Sequence, residues 1–219
     1  MARGKVVALL GAESTGKTTL ASALRDALVA DGHDAVVVSE YLREFCVDSS
    51  RAPTREEQRA IADEQTLRIA NAADMHEIVI ADTSALMVAV YSEHVFADTA
   101  LYADALAVQA TYDLTLLTAL DLPWLADGLQ REGPHVREPI DACIRRALLD
   151  KRLPFSIVAG RGDARLQSAL AAVKHLSTPS TAKSPKWHWI CDRCGDTDCE
   201  RHLLPLPLGE GRGEGCGAD

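Results

Sequence analysis

Five short apolar runs punctuate the first 160 residues, separated by longer stretches with a helical repeat. KVVALL (5–10), AVVVS (35–39), EIVIAD (77–82), DLTLLT (113–118) and FSIVAG (155–160) are nearly all apolar. Such runs predict strands buried on both faces, as in a parallel sheet. From Lys17 to Ala30 the apolar residues recur at 20, 24 and 28, which predicts a helix. Thr54-Arg55-Glu56-Glu57 has capping-box spacing and predicts a helix start, with helix to about residue 73. The Ala-rich segment 84–110 predicts helix broken around 97–100, and further helices are predicted over 139–151 and 163–176.

Strands alternating with helices define an α/β fold: a five-stranded parallel sheet flanked by helices. Ligands of such sheets sit beyond the carboxyl ends of the strands. The residues there are polar: Glu13, Glu40, Asp82, Asp121 and Arg161. The stretch between the first strand and the first helix is GAESTGKTT, with the spacing G-x-x-x-x-G-K-[ST] of a P-loop NTPase. The residues Gly11, Ala12, Glu13, Ser14, Thr15, Gly16, Lys17, Thr18 and Thr19 are therefore the expected ATP-phosphate site, with Arg161 at the last strand end as a further nucleotide contact. Backbone N–H groups and the helix N-terminus surround the phosphates, Lys17 reaches the outer ones, and the Thr18 hydroxyl ligates Mg²⁺.

Asp82 ends the third strand, where a carboxylate is placed to hold Mg²⁺; ADTS also reads as a helix N-cap. Glu40, in SEYLREF, suits the task of accepting the proton of an attacking hydroxyl, with Arg43 orienting it or touching the transferred phosphate. The plainer alternative is a surface ion pair among Glu40, Arg43 and Glu44. DLPWLADGLQREGPHVRE (121–138) contains Gly128, Gly133 and Pro134, so it can bend, and Arg131 and Arg137 are candidates to close over phosphates. Trp124 in that loop is either a stacking surface for a flat heterocycle or a core residue. No N-K-x-D motif follows the fourth strand, which argues against a GTPase.

These segments in order, GAESTGKTTL, SEYLREF, IADTSA and LDLPWLADGLQREG, resemble the ribosylnicotinamide kinase domain of the bacterial NadR family, a P-loop small-molecule kinase with AAA-like ATP binding. The resemblance covers residues 5–175 or so. The glycine loop is generic, and its combination with the other three motifs is specific. The resemblance implies transfer of the γ-phosphate of ATP to the 5′-hydroxyl of nicotinamide riboside, giving nicotinamide mononucleotide in NAD salvage. It implies that Glu40, Tyr41, Arg43 and Glu44 form an acidic-aromatic segment near the riboside, that Asp82 is the strand-end acid, and that Trp124, Asp127 and Gly128 belong to a lid. The family's lid arginine falls where this chain has Gln130, with Arg131 one place later. Larger members carry an adenylyltransferase and a DNA-binding domain ahead of the kinase; this chain begins at the first kinase strand, so neither is expected. A kinase for another nucleoside or vitamin alcohol is the alternative of the same class. An ATP-binding regulatory module presenting its C-terminal tail to a partner is the alternative of another.

Composition narrows the partners. A net charge of -9 over 219 residues argues against a nucleic-acid partner, and no apolar run reaches the 18 residues that a membrane span needs. The short basic-then-apolar N-terminus stops at the glycine loop and reads as a strand rather than a signal peptide, so a cytoplasmic protein is expected. Oligomeric state is not legible.

The kinase domain is expected over 1–176, with a polar linker over 177–186 containing two prolines. Cys191, Cys194, Cys199 and His202 then offer three thiolates and an imidazole within twelve residues, the chemistry of a tetrahedral Zn²⁺ knuckle over 187–202. Trp187 and Trp189 would cover one side of it, and His188 is a substitute ligand. An unligated tail, or iron–sulfur or redox chemistry, are the competing readings. Residues 203–219, rich in Pro and Gly, have the composition of a disordered tail.

Overall fold

The computed structural model describes residues 3–125 and 133–177. The elements run β1 (Lys5–Leu10), α1 (Lys17–Ala30), β2 (Ala35–Val38), α2 (Tyr41–Ser49), α3 (Gln58–Met75), β3 (Ile78–Asp82), α4 (Ala85–Phe96), α5 (Tyr102–Gln109), β4 (Leu114–Thr118), α6 (Arg137–Asp150), β5 (Ser156–Val158) and α7 (Gly162–Ser177). All five predicted strands form. They make one parallel sheet in the order β2-β3-β1-β4-β5.

β1 is central, and Val6 to Leu10 are wholly buried, because helices cover both faces of the sheet. Val7 and Leu9 point to the side of α1 and α7, where Leu24, Leu28, Ala169 and Val173 complete one core cluster. Leu10 points to the other side, where α3, α4, α5 and α6 contribute Ile61, Leu86, Leu106 and Ile144 to a second. Strand alternation thus divides one apolar run between the two faces of the sheet.

Helix boundaries follow local chemistry. The capping box forms on one side: the Thr54 backbone N–H donates to Glu57 Oε2 at 2.7 Å. Arg51 grips the same carboxylate through both terminal nitrogens at 2.7 and 2.6 Å. The Arg51 hydrogen bonds, helped by that of Thr54, hold the Glu57 carboxyl down to about 2. The expected break after α4 also appears: Ala97 is left-handed (φ 53°) and the Asp98 carboxylate accepts the Ala100 N–H at 3.0 Å.

α2 has no counterpart among the helices expected from the sequence. Cys46 is buried and Tyr41, Leu42 and Phe45 are partly buried, a helical stripe that spans little more than one turn and is too short to stand out in the sequence. No described helix is long and apolar enough to cross a membrane.

Candidate active site

The glycine loop closes against β4. Gly11 has φ 153°, and a Cβ there would lie 2.0 Å from Thr118 Oγ1, so only glycine fits. Thr118 donates to Thr15 Oγ1 at 2.7 Å, and Thr15 donates to the Ala12 carbonyl at 2.8 Å. Two buried hydroxyls therefore stitch the loop to the neighbouring strand. Gly16 is left-handed (φ 75°) and begins α1 with no side-chain cap, leaving the first helical N–H groups available to an anion. Lys17 Nζ folds across the loop onto the carbonyls of Gly11 (2.8 Å) and Ala12 (2.9 Å). Gly11→Ala is expected to cost about 1–3 kcal/mol of stability, because the methyl must displace the Thr118–Thr15 contact. Chemical denaturation checks this; an unshifted midpoint would contradict the packing argument.

From the far side a buried arginine holds the loop. Arg165 on α7 is 5% exposed; its Nη2 donates to the Thr15 carbonyl at 2.7 Å, and its Nη1 to Asp121 Oδ1 at 2.8 Å. Burial pushes the Asp121 carboxyl up, but the Gly160 N–H and Arg165 outweigh it and hold the group below its usual range. Arg161, expected from the sequence to contact nucleotide, is exposed, and its Nη2 is 3.4 Å from the Asp121 carbonyl. The sequence reading missed Arg165. The available signal was its place in the buried helical series Arg165, Ala169, Val173.

At the end of β3, Asp82 Oδ2 accepts the Thr18 hydroxyl at 2.6 Å. Asp82 is 3% exposed, and its Oδ1 is buried with no hydrogen-bond partner among the described residues. Helix capping falls instead to Ser84, whose Oγ accepts the Leu86 N–H at 3.3 Å and donates to Gln109 Oε1 at 2.7 Å. Asp82 is thus left facing the phosphate loop. Thr83 between them is held at φ 86°, a conformation that costs a β-branched residue about 1–3 kcal/mol, and its hydroxyl is likewise buried without a partner. The Thr18 hydroxyl and a carboxylate with a spare oxygen fit Mg²⁺, which takes hard oxygen ligands and keeps several waters.

Glu40 lies two residues beyond β2 at the start of α2 and its side chain is 21% exposed, with Arg43 Nη2 at 3.5 Å from its carboxylate. The next residue is fixed by α3: the Tyr41 N–H donates to Gln65 Oε1 at 2.7 Å, and Gln65 Nε2 donates to the Ser39 carbonyl at 3.3 Å. The Tyr41 ring lies 4.4 Å below the Arg68 guanidinium, which also pairs with Glu44 and Glu64. Glu44 is engaged with α3, while Glu40 is not. Gln65 was also missed, although it stands in the buried helical series Ile61, Gln65, Ile69 of α3.

Trp124 is partly buried, and its Nε1 has no partner among the described residues. The adjoining Leu125 N–H donates to Ser14 Oγ at 2.8 Å, so the near end of the expected lid is tied to the phosphate loop. Asp127, Gly128 and Arg131, and the tail residues Cys191, Cys194, Cys199 and His202, lie outside the described residues.

A glycine loop between the central strand and a helix, a buried strand-end carboxylate on its threonine, and the parallel order of the sheet define a nucleotide-binding P-loop domain. Residues 6–165 match the family described as AAA domain, and the chain belongs to that family. The fold recurs in solved structures of NadR protein. One, in complex with NR, has a TM-score of 0.67 and 21% identity over 82% of this chain and 52% of that one. Another, in complex with NAD and AMP-PNP, has a TM-score of 0.61 and 21% identity over 83% and 52%. This chain spans about half the length of those proteins, and identity at that level establishes the fold alone. No curated protein matches the sequence.

Proposed function

We propose that the protein is an ATP-dependent small-molecule kinase that phosphorylates the 5′-hydroxyl of nicotinamide riboside. The observation that carries this reading is the pair of carboxylates at neighbouring strand ends. Asp82 is buried against Thr18 of the phosphate loop, and Glu40 is partly exposed one strand further out. A motor or switch needs a residue that positions water; a kinase needs a carboxylate that takes a proton from an alcohol. The recurrence of the fold in a protein solved with NR supports the choice of acceptor.

In this reading the acceptor lies beyond β2 and β3 and the nucleotide over α1. The riboside oxygen attacks the γ-phosphorus, the bond to the β-phosphate bridging oxygen breaks, and ADP leaves. Glu40 takes the hydroxyl proton, held in orientation by Arg43, and Tyr41 lines the acceptor side. Lys17 balances charge on the outer phosphates after leaving the Gly11 and Ala12 carbonyls. Thr18 and Asp82 would hold Mg²⁺, which supplies charge neutralisation on the phosphates. Trp124, Asp127 and Arg131 belong to the lid side, where an arginine stabilises the transferred group. Zn²⁺ binding by Cys191, Cys194, Cys199 and His202 is a separate proposal, tested by metal analysis of the purified chain.

The experiment is incubation with ATP, Mg²⁺ and a panel of hydroxyl acceptors. Nicotinamide riboside is expected to yield nicotinamide mononucleotide with stoichiometric ADP. Product from a different nucleoside alone would retain the kinase and replace the substrate. Absence of acceptor-dependent ADP release across the panel would remove the kinase reading and favour a binding module.

A further inference from the structure

We propose that Arg137 is a phosphate-contact residue, its Nε–Nη2 edge receiving oxygens of a phosphoryl group on a bound ligand. The proposal rests on the phosphate-site reading above but not on which acceptor is used. Arg137 is the first residue of α6 and is 8% exposed. Its Nη1 donates to the Leu122 carbonyl at 2.9 Å, whereas Nε and Nη2 are buried with no hydrogen-bond acceptor among the described residues. A guanidinium stays charged at any ordinary pH, so it cannot escape burial by losing its proton. A buried charge with unsatisfied donors is unfavourable unless something anionic reaches it.

Several described carboxylates have other partners. Asp141, one turn along α6, takes Arg145 at 2.6 Å; Asp121 takes Arg165 and the Gly160 N–H; Glu93 takes Arg146. Glu138, next in sequence, is exposed. The two spare nitrogens form the side of the guanidinium that grips two oxygens at once, the geometry of phosphate recognition.

Location points to the same ligand. Leu122, which anchors Arg137, abuts the glycine loop: a Cβ on Gly16 would meet Leu122 Cδ1 at 3.0 Å. Ile140, one turn beyond Arg137, belongs to the same core cluster as Leu10 and Ala12 at the start of that loop, with Tyr41 and Leu42 packed at its edge. Arg137 is thus linked to the phosphate loop through Leu122.

The phosphoryl group belongs either to the nucleotide or to a phosphorylated acceptor, and two binding arms separate these sources. Calorimetric titration of the full chain with AMP-PNP and with nicotinamide mononucleotide is compared for wild type, Arg137→Met and Arg145→Gln. Arg137→Met is expected to weaken one of the two ligands by about tenfold or more, and the weakened ligand identifies the phosphate. Its unliganded melting temperature is expected to hold or rise, since an unpaired buried charge is removed; a purely structural arginine would lower melting and spare affinity. Arg145→Gln, which disrupts a paired arginine on the same helix, is expected to leave both affinities unchanged. Unchanged affinity for both ligands in Arg137→Met overturns the proposal. Should that variant fail to fold, Arg137→Lys decides: it keeps the charge but loses the fork, and wild-type affinity for both ligands would overturn the proposal equally. If AMP-PNP binds but no acceptor is phosphorylated, only the kinase reading falls. If wild type binds neither ligand, the phosphate-site reading falls first.

Discussion

Lys17→Ala is expected to lower acceptor-dependent ADP formation by about 10²–10³-fold, the usual loss when one preorganised charge facing a developing anion is removed. Fold loss is not expected to explain it. Lys17 Nζ donates to loop carbonyls, those of Gly11 and Ala12, in a partly exposed setting where water can replace it. The loop keeps its other fastenings, the Thr118–Thr15 hydroxyl pair and the Arg165 bond to the Thr15 carbonyl. Losing about 1 kcal/mol would move the melting temperature of a domain this size by about 2–4 °C. Parallel measurement of turnover and thermal unfolding separates the two effects. Turnover near the wild-type rate would sink the assignment of the phosphate site. A large fall in melting temperature would mean instead that the lysine acts as a structural clamp.

What could be read from the chain and what could not divides along a physical line. The inner strands β1, β3 and β4 were legible because burial on both faces leaves a signal in nearly every residue, and the partly exposed edge strands β2 and β5 showed only as short apolar runs. The ends of β1 and α1 coincided with expectation. The phosphate loop was legible because its chemistry needs fixed spacing within one segment. α2 was not, since its apolar stripe of Tyr41, Leu42, Phe45 and Cys46 spans little more than one turn. Residues that act across the fold were also missed. Thr118, Gln65 and Arg165 each fix a loop or strand end through contacts to residues far along the chain. Thr118 carries no local pattern, and the places of Gln65 and Arg165 in buried helical series mark burial without naming a partner.

Asp82 lies between these cases. Its position at a strand end was evident, but its role was divided between capping α4 and facing the phosphates. The structure gives the cap to Ser84, and the division has an energetic reading. A serine reaches the Leu86 N–H and also completes a buried chain through Gln109 to Thr115, so α4 does not need the aspartate. Asp82 is then left with one oxygen on Thr18 and another without a partner. A buried carboxylate in that state is unfavourable in the free protein and poised for a cation.

The largest effect after that of Lys17 is therefore expected at this residue, and with the opposite sign in stability. Asp82→Asn keeps an oxygen for the Thr18 hydroxyl but removes the charge and presents an amide where Oδ1 now stands. Activity is expected to fall by about 10²–10³-fold, with the Mg²⁺ concentration giving half-maximal rate shifted upward. In the absence of metal the variant is expected to melt no lower than wild type, because a buried charge lacking a full set of partners is lost. Wild type is expected to gain stability from Mg²⁺ with AMP-PNP by mass action, and the variant to gain less. A Mg²⁺ titration of rate, together with melting curves with and without metal, tests each part. If the rate falls while the half-saturating Mg²⁺ concentration stays put, Asp82 is not holding the metal and becomes the candidate to take the acceptor proton. In that event Glu40→Gln should retain most of the activity, and the roles proposed for the two strand-end carboxylates would have to be exchanged.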